Sequence, residues 1–102
     1  MIEISRFRGI RKRNRFLERT FTTSERAYCL SHRDSATHFA GTFAGKEAVQ
    51  KALPKPLAFQ DIEIRREESG KPEVWLKGKR SKSLLVSITH TASVATAIAL
   101  RV

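Results

Sequence analysis

The stretch DSATHFAGTFAGKEAVQKALP, residues 34–54, decides the fold of this chain. Asp34 or Ser35 can cap a helix, because a short side chain with an oxygen atom accepts a hydrogen bond from a backbone amide of the first turn. Pro54 ends the helix, because proline cannot donate to a continuing turn. The stretch therefore predicts a long helix over about 36–53, and the other elements are placed around it.

One carboxylate interrupts the apolar face of this helix. At about 100° per residue, a broad apolar arc is formed by Phe39, Ala40, Phe43, Ala44, Ala48 and Ala52. Glu47 falls inside the arc, where a carboxylate is costly unless it is paired, hydrogen-bonded or bound to a metal. Lys51, one turn later, could be its partner in an ordinary i,i+4 ion pair. The helix alone leaves both interpretations open.

The same helix carries two glycines one turn apart, Gly41 and Gly45. With Lys46 they resemble a phosphate-binding P-loop, but that motif has four residues between its glycines and Ser or Thr after the lysine. Here there are three residues, and Glu47 follows. We therefore expect the glycine pair to permit close packing against another element.

The flanking segments predict a second helix and several strands. Thr22 and Glu25 have capping-box spacing, which predicts a short helix over roughly 23–32. Beyond the long helix the apolar period becomes alternating, which is typical of strands. The predicted strands are 61–65, 73–77, 84–90 and 94–102, with Ile2-Glu3-Ile4 as a candidate edge strand.

The connections complete the expected topology. Residues 91–93 are short enough to join the last two strands as a hairpin. Residues 78–82 have the character of a basic turn, and residues 8–20 are too basic to assign. We expect an α+β fold with two helices packed on a small antiparallel sheet, in a single domain over residues 1–102.

The charge balance indicates an anionic partner. The 102 residues hold 20 Lys and Arg against 10 Asp and Glu, a net charge of +10, and no apolar run is long enough to span a membrane. Residues 1–19 alone carry seven basic and two acidic side chains. There is no apolar signal segment at the start and Cys29 is the only cysteine, so we expect a cytoplasmic chain without a disulfide.

The three histidines by themselves do not indicate a metal site. His90 ends the apolar strand 84–90, where a lone histidine is usually structural. His32 and His38 lie near helix ends without the spacing of two zinc ligands.

Several segments together resemble the holo-acyl-carrier-protein synthases of the 4′-phosphopantetheinyl transferase family. The long helix matches that family's F-A-x-K-E-A-x-x-K-A-L pattern from Phe43 to Leu53. Residues 19–25 match R-x-F-T-x-x-E, and residues 61–64 resemble D-I-E-V. Gly70-Lys71-Pro72 matches G-K-P, and residues 87–91 resemble S-x-S-H-[DST]. The matches occur in the family's order along most of the chain.

The resemblance implies transfer of 4′-phosphopantetheine from coenzyme A to a serine of an apo acyl carrier protein, with Mg²⁺ and release of adenosine 3′,5′-bisphosphate. It implies that Glu47 binds the metal and that Lys51 and His90 complete the catalytic set. The coenzyme-binding residues would be Phe43, Lys51, Gly70, Lys71, Pro72, Thr89, His90 and Thr91.

The basic N-terminal segment acquires a role from the same resemblance. Carrier proteins are acidic, so a positive surface would steer them to the coenzyme. Arg6 matches the family's docking arginine, and by position we add Arg8, Arg13 and Arg15. The resemblance further implies a homotrimer with active sites between subunits.

The sequence departs from the family pattern at two positions. The family's metal-binding Asp would fall immediately before Met1, and Thr42 stands where the family has Arg. One alternative is therefore a catalytically weak or dead paralogue that binds coenzyme A. The other alternative is a basic nucleic-acid-binding module. It would explain the positive charge but not the position of Glu47 on an apolar helix face.

Overall fold

The structure is a computed structural model that describes residues 1–10 and 14–102. Its helices are α1 (Arg15–Thr20), α2 (Thr23–Leu30) and α3 (Ser35–Ala52), with 3₁₀ turns at Ile4–Phe7 and Phe59–Asp61. Its strands are β1 (Ile2–Glu3), β2 (Ile62–Arg66), β3 (Pro72–Leu76), β4 (Lys79–Arg80), β5 (Leu84–His90) and β6 (Val94–Arg101). The predicted α+β class is confirmed.

Both predicted helices form where the caps placed them. Asp34 is the residue that caps α3, and its side chain accepts from the backbone amide of Thr37. At the start of α2, Thr22 and Glu25 form the expected reciprocal capping box. The helix α1, capped by Asn14, lies in the segment that the sequence left unassigned.

The strands form two antiparallel sheets where the sequence predicted one. The first has the order β1-β6-β5, and its hairpin pairs Ile88 with Ala97 and His90 with Ala95. The second has the order β2-β3-β4. The expected basic turn over 78–82 is wrong in part, because Lys79 and Arg80 pair with β3 as a short strand.

Helix α3 lies at the centre of the molecule, in contact with both sheets, α2 and the first 3₁₀ turn. Every residue from Phe39 to Lys46 is buried. On one side lies a cluster that contains all six phenylalanines of the chain. On the other, Val49 packs with Ile62, Ile64, Val74 and Leu84.

The two helix glycines allow β5 to approach α3 closely. A Cβ added at Gly41 would lie 3.1 Å from Cγ2 of Ile88, and one added at Gly45 would lie 3.1 Å from its Cδ1. The predicted close packing is confirmed, and Ile88 is the residue that occupies the space. In the part of the chain that the structure describes, no helix is both long enough and apolar enough to cross a bilayer.

Candidate active site

Glu47 lies half-buried on α3, beside a small cavity. The cavity has a volume of about 200 Å³ and is lined by Met1, Ala44, Glu47, Ala48, Lys51 and Ala97. One carboxylate and one ammonium group therefore face a space whose other walls are mostly alanine. Such a space can hold a charged group beside both side chains.

The ordinary ion pair between Glu47 and Lys51 is not formed. The described residues contain four ion pairs, and neither side chain takes part in one. Of the two interpretations of Glu47, the structure therefore disfavours the paired surface carboxylate. The carboxylate remains available to a ligand.

The residue before Glu47 is the fully buried Lys46, whose Nζ lies 2.6 Å from Oε1 of Glu25. The Glu25 carboxylate also accepts from the backbone amides of Thr22, at 2.9 Å, and Ile64, at 2.7 Å. Burial raises the pKa of Glu25 and lowers the pKa of Lys46, and each partner's charge opposes the shift of the other.

The sequence analysis did not identify this buried pair, although the helical wheel places Lys46 on the buried face of α3. At about 100° per residue, Lys46 falls only about 20° from Phe39, in the buried arc. A lysine is almost never fully buried unless it is paired. The pattern therefore indicates a buried partner for Lys46.

The residues of the G-K-P motif border a different surface. Gly70 has a φ of +90°, which a glycine adopts without strain in the turn between β2 and β3. Lys71 and Pro72 line a groove of about 410 Å³ together with the cations of Arg80 and Lys82. We name this surface the basic groove. No lining residue is shared between it and the Glu47 cavity.

His90 and Thr91 lie at the turn between β5 and β6. The hydroxyl of Thr91 accepts from the backbone amides of Ser93 and Val94, at 3.2 Å each, and so orders the turn. The exposed His90 ring has its Nδ1 3.2 Å from the carbonyl oxygen of Thr91. Thr89 is also exposed, paired with Thr96 on β6.

A cluster of rings lies at the start of α3. The imidazoles of His32 and His38 stack with centroids 3.8 Å apart, and the Tyr28 ring packs against both. Burial, with the nearby positive charges of His32 and Arg66, lowers the pKa of His38, and His90 contributes in the same direction. Within residues 1–10 and 14–102, no group of three or more His, Cys, Asp or Glu is arranged to hold a metal.

The proposed catalytic residues do not all border one cavity. Glu47 and Lys51 line the cavity beside α3, whereas neither His90 nor Thr91 lines it. A single chain brings Glu47 and Lys51 together and holds His90 and Thr91 apart from them.

Phe43, expected to line the coenzyme site, lies in the aromatic cluster. It is buried, and its ring packs against Phe7, Phe16 and Phe59 with centroids 5.8–6.0 Å apart. The Glu47 cavity does not include it. In this chain its contacts are those of a core residue, because its part of α3 is covered by the 3₁₀ turns and α1.

Arg6 borders a mostly apolar cavity of about 230 Å³ in the N-terminal segment, which we name the arm pocket. Its lining residues are Arg6, Phe7, Ile10, Asn14 and Phe16. The guanidinium of Arg6 lies 5.8 Å from the centroid of Phe43, whereas Arg8 pairs with Asp34 at 3.3 Å. Arg15 is exposed, and Arg13 lies outside the described residues.

Comparison with known proteins gives consistent matches along the whole chain. The family model described as the 4′-phosphopantetheinyl transferase superfamily matches residues 2–99. The holo-[acyl-carrier-protein] synthase of Caldanaerobacter subterraneus subsp. tengcongensis is 40% identical over 114 residues, which cover 100% of this chain and 90% of the relative. That of Moorella thermoacetica is 41% identical over 112 residues, covering 98% and 88%.

The fold of this chain also matches a solved structure over almost its whole length. The Helicobacter pylori holo-[acyl-carrier-protein] synthase in complex with coenzyme A superposes with a TM-score of 0.80 at 32% identity. The superposition covers 99% of this chain and 95% of that one. The similarity thus extends over α3, both sheets and the basic segment.

Proposed function

The chain belongs to the 4′-phosphopantetheinyl transferase superfamily, and from that premise we propose that it transfers 4′-phosphopantetheine from coenzyme A to a serine of an apo acyl carrier protein. Its curated relatives are holo-[acyl-carrier-protein] synthases, so the family and the enzyme class predicted from the motifs are confirmed. The observation that carries the proposal is the Glu47 carboxylate, which shares a cavity with Lys51 and has no cationic partner among the described residues.

The reaction requires positive charge around a pyrophosphate. The serine oxygen bonds to the phosphorus that carries the pantetheine group, the bond from that phosphorus to the bridging oxygen breaks, and the serine proton is released. Adenosine 3′,5′-bisphosphate leaves with the bridging oxygen. Charge that develops on the phosphate oxygens is stabilised by nearby cations. Lys51 is the cation beside Glu47, and we assign it this role.

Glu47 is a suitable ligand for Mg²⁺. This ion commonly binds one or two carboxylates and completes its coordination shell with water and substrate phosphates. When bound, it would neutralise charge on the pyrophosphate. Glu47 offers an oxygen ligand on a helix that is held in the core.

We infer that a complete site forms between two copies of the chain. Glu47 and Lys51 line one cavity, and His90 and Thr91 lie outside it at the β5–β6 turn. One copy would contribute the first pair, and the other would contribute the second pair together with the basic groove. The residues that bind coenzyme phosphates would then surround the cavity that holds the reacting atoms.

An exposed apolar surface supports association of copies. The face of the β5–β6 hairpin that points away from α3 carries Leu85, Ile98, Leu100 and Val102, each more than half exposed. We name it the apolar strip. Large apolar side chains clustered on one sheet face are typical of an interaction site. We assign the strip to contacts between copies in the homotrimer.

The arm pocket is the surface we assign to the carrier protein. Arg6 places positive charge beside the apolar walls formed by Phe7, Ile10 and Phe16, and the exposed Arg15 lies between two lining residues in the sequence. A positive rim accelerates encounter with an acidic protein, and the apolar walls bury part of its surface. Arg8 contributes less, because Asp34 already pairs with it.

Transfer of the group is tested directly by intact mass. The chain is incubated with coenzyme A, Mg²⁺ and an apo acyl carrier protein, and the carrier should gain the mass of one phosphopantetheine. Glu47→Gln keeps the shape of the side chain and removes the charge, so turnover should fall about 100- to 1000-fold while the far-UV spectrum stays unchanged.

The matched control is Glu18→Gln, which removes an exposed carboxylate on α1. At saturating carrier protein it should retain wild-type turnover. Wild-type turnover in Glu47→Gln, or no mass gain with the unaltered chain, would refute the proposal.

A further inference from the structure

We propose that the buried ion pair between Glu25 and Lys46 positions Glu47 for the transfer reaction. The inference rests on the proposed function and adds two positioning residues to it. Neither side chain is exposed to solvent, and their charged atoms lie 2.6 Å apart. Lys46 and Glu47 are consecutive on α3, so any displacement of Lys46 displaces Glu47 with it.

Glu25 connects three elements through one carboxylate. Oε1 accepts from the Thr22 amide at the start of α2 and from Lys46 of α3, and Oε2 accepts from the Ile64 amide on β2. All these contacts have little tolerance for movement, because separation of the pair would leave a charge in the core without its partner. The carboxylate therefore fixes α3 relative to α2 and β2.

Much of the remaining packing of α3 is apolar, against residues such as Ile64, Phe7 and Ile88. Other side-chain hydrogen bonds of the helix join Thr42 to Cys29 and Gln50 to the backbone of Leu57. Apolar contacts are not directional, and cores repack with small shifts when side chains change. Within residues 1–10 and 14–102, no other ion pair includes a residue of α3. The pair is thus the directional contact nearest to Glu47.

A buried ion pair is a poor source of stability, because two apolar side chains of similar size often do as well. The pair is therefore better explained by its positioning of α3 and Glu47 than by a contribution to stability. Misplacement of a reacting group by about 1 Å can cost about 100-fold in rate. Loss of the pair should therefore affect turnover more than it affects binding of the carrier protein, whose proposed surface lies elsewhere.

The test compares Lys46→Met and Glu25→Gln with Ile62→Ala. Lys46→Met removes the ammonium group, and Glu25→Gln keeps the side-chain size, so it provides a second variant if the first does not fold. Ile62 is fully buried on β2 and packs with Val49 of α3, but it takes no part in the pair. Its truncation therefore lowers stability and removes an apolar contact of α3 while the ion pair stays intact. All variants are assayed well below their melting temperatures.

We expect kcat of both pair variants to fall about 10- to 100-fold, with KM for carrier protein unchanged. In the metal-free chain, amide hydrogen exchange over residues 43–51 should become faster than in Ile62→Ala. Variants that keep the kcat and the exchange pattern of Ile62→Ala would overturn the inference. Failure of the unaltered chain to transfer the group would instead refute the proposed function, whereas the exchange measurement does not depend on activity.

Discussion

The close approach of β5 to α3 predicts that Gly41 and Gly45 respond differently to alanine. Alanine stabilises a helix interior by about 1 kcal/mol relative to glycine. Against this gain stands the new methyl group, which at either position would lie 3.1 Å from a carbon of Ile88. Overpacking of a core costs about 1–3 kcal/mol when the neighbours cannot move. The sign of the change therefore depends on which atom of Ile88 must give way.

At Gly45 the obstructing atom is Cδ1, the free end of the Ile88 side chain. It can rotate away at small cost, so Gly45→Ala should change stability by less than about 0.5 kcal/mol. At Gly41 the obstructing atom is Cγ2, which is bonded directly to Cβ. It can move only if the stiff χ1 of this β-branched side chain rotates or the β5 backbone shifts. Gly41→Ala should therefore lose up to about 2 kcal/mol of stability. Each kcal/mol lost lowers the melting temperature of a chain of this size by roughly 4–8 °C.

Urea denaturation at fixed protein concentration measures both variants, and Ile88→Val provides the control. This change removes Cδ1 and keeps Cγ2, so it should relieve any residual clash in Gly45→Ala and none in Gly41→Ala. In double-mutant cycles, only the Gly45 pair should deviate from additivity. Equal losses at the two glycines, with additive effects of Ile88→Val, would show that the Ile88 contact does not determine the packing of α3 on β5.

Three further changes test other surfaces of the molecule. Charge reversal at Arg6 and Arg15 should raise KM for carrier protein and weaken the dependence of KM on salt. The reason is that salt screens the electrostatic steering of an acidic partner over about 8–10 Å. An equal loss of coenzyme affinity would place these residues in the coenzyme site instead. Burial lowers the pKa of His38, so the folded chain binds a proton less readily than the unfolded chain, and stability should fall as the pH drops below about 6.5. His38→Gln should flatten this dependence in pH-dependent melting, and an unchanged slope would assign the effect to other groups. Leu100→Lys places a charge on the apolar strip and should shift the mass measured by light scattering towards a single chain, whereas an unchanged assembly would remove the strip from the interface.

The local elements of this chain could be predicted from its sequence because their signals lie within a few residues. The end of α3 at Ala52 follows from Pro54, and its start follows from the cap at Asp34. The capping box of α2 and the β5–β6 hairpin depend equally on neighbours in the chain. Each of these features is decided by hydrogen bonds that a short segment makes with itself.

The candidate site could be predicted in part. Glu47 was identified because a carboxylate within an apolar arc demands a partner, and the motif order along the chain indicated the family. Neither argument locates a residue relative to another element. That Phe43 packs in the aromatic cluster, and that His90 does not line the Glu47 cavity, became visible only in the folded chain.

Only the tertiary structure decided which elements meet. It divided the strands into two sheets, stacked His32 on His38 across a helix boundary, and enclosed Lys46 with Glu25, 21 residues away in sequence. The periodicity of one segment shows which of its faces is apolar, but α3 is covered on several sides by elements that are distant in the chain. Those elements determine whether a lysine on the helix faces water or a buried carboxylate. They do so because they supply the environment that stabilises the charge of the lysine.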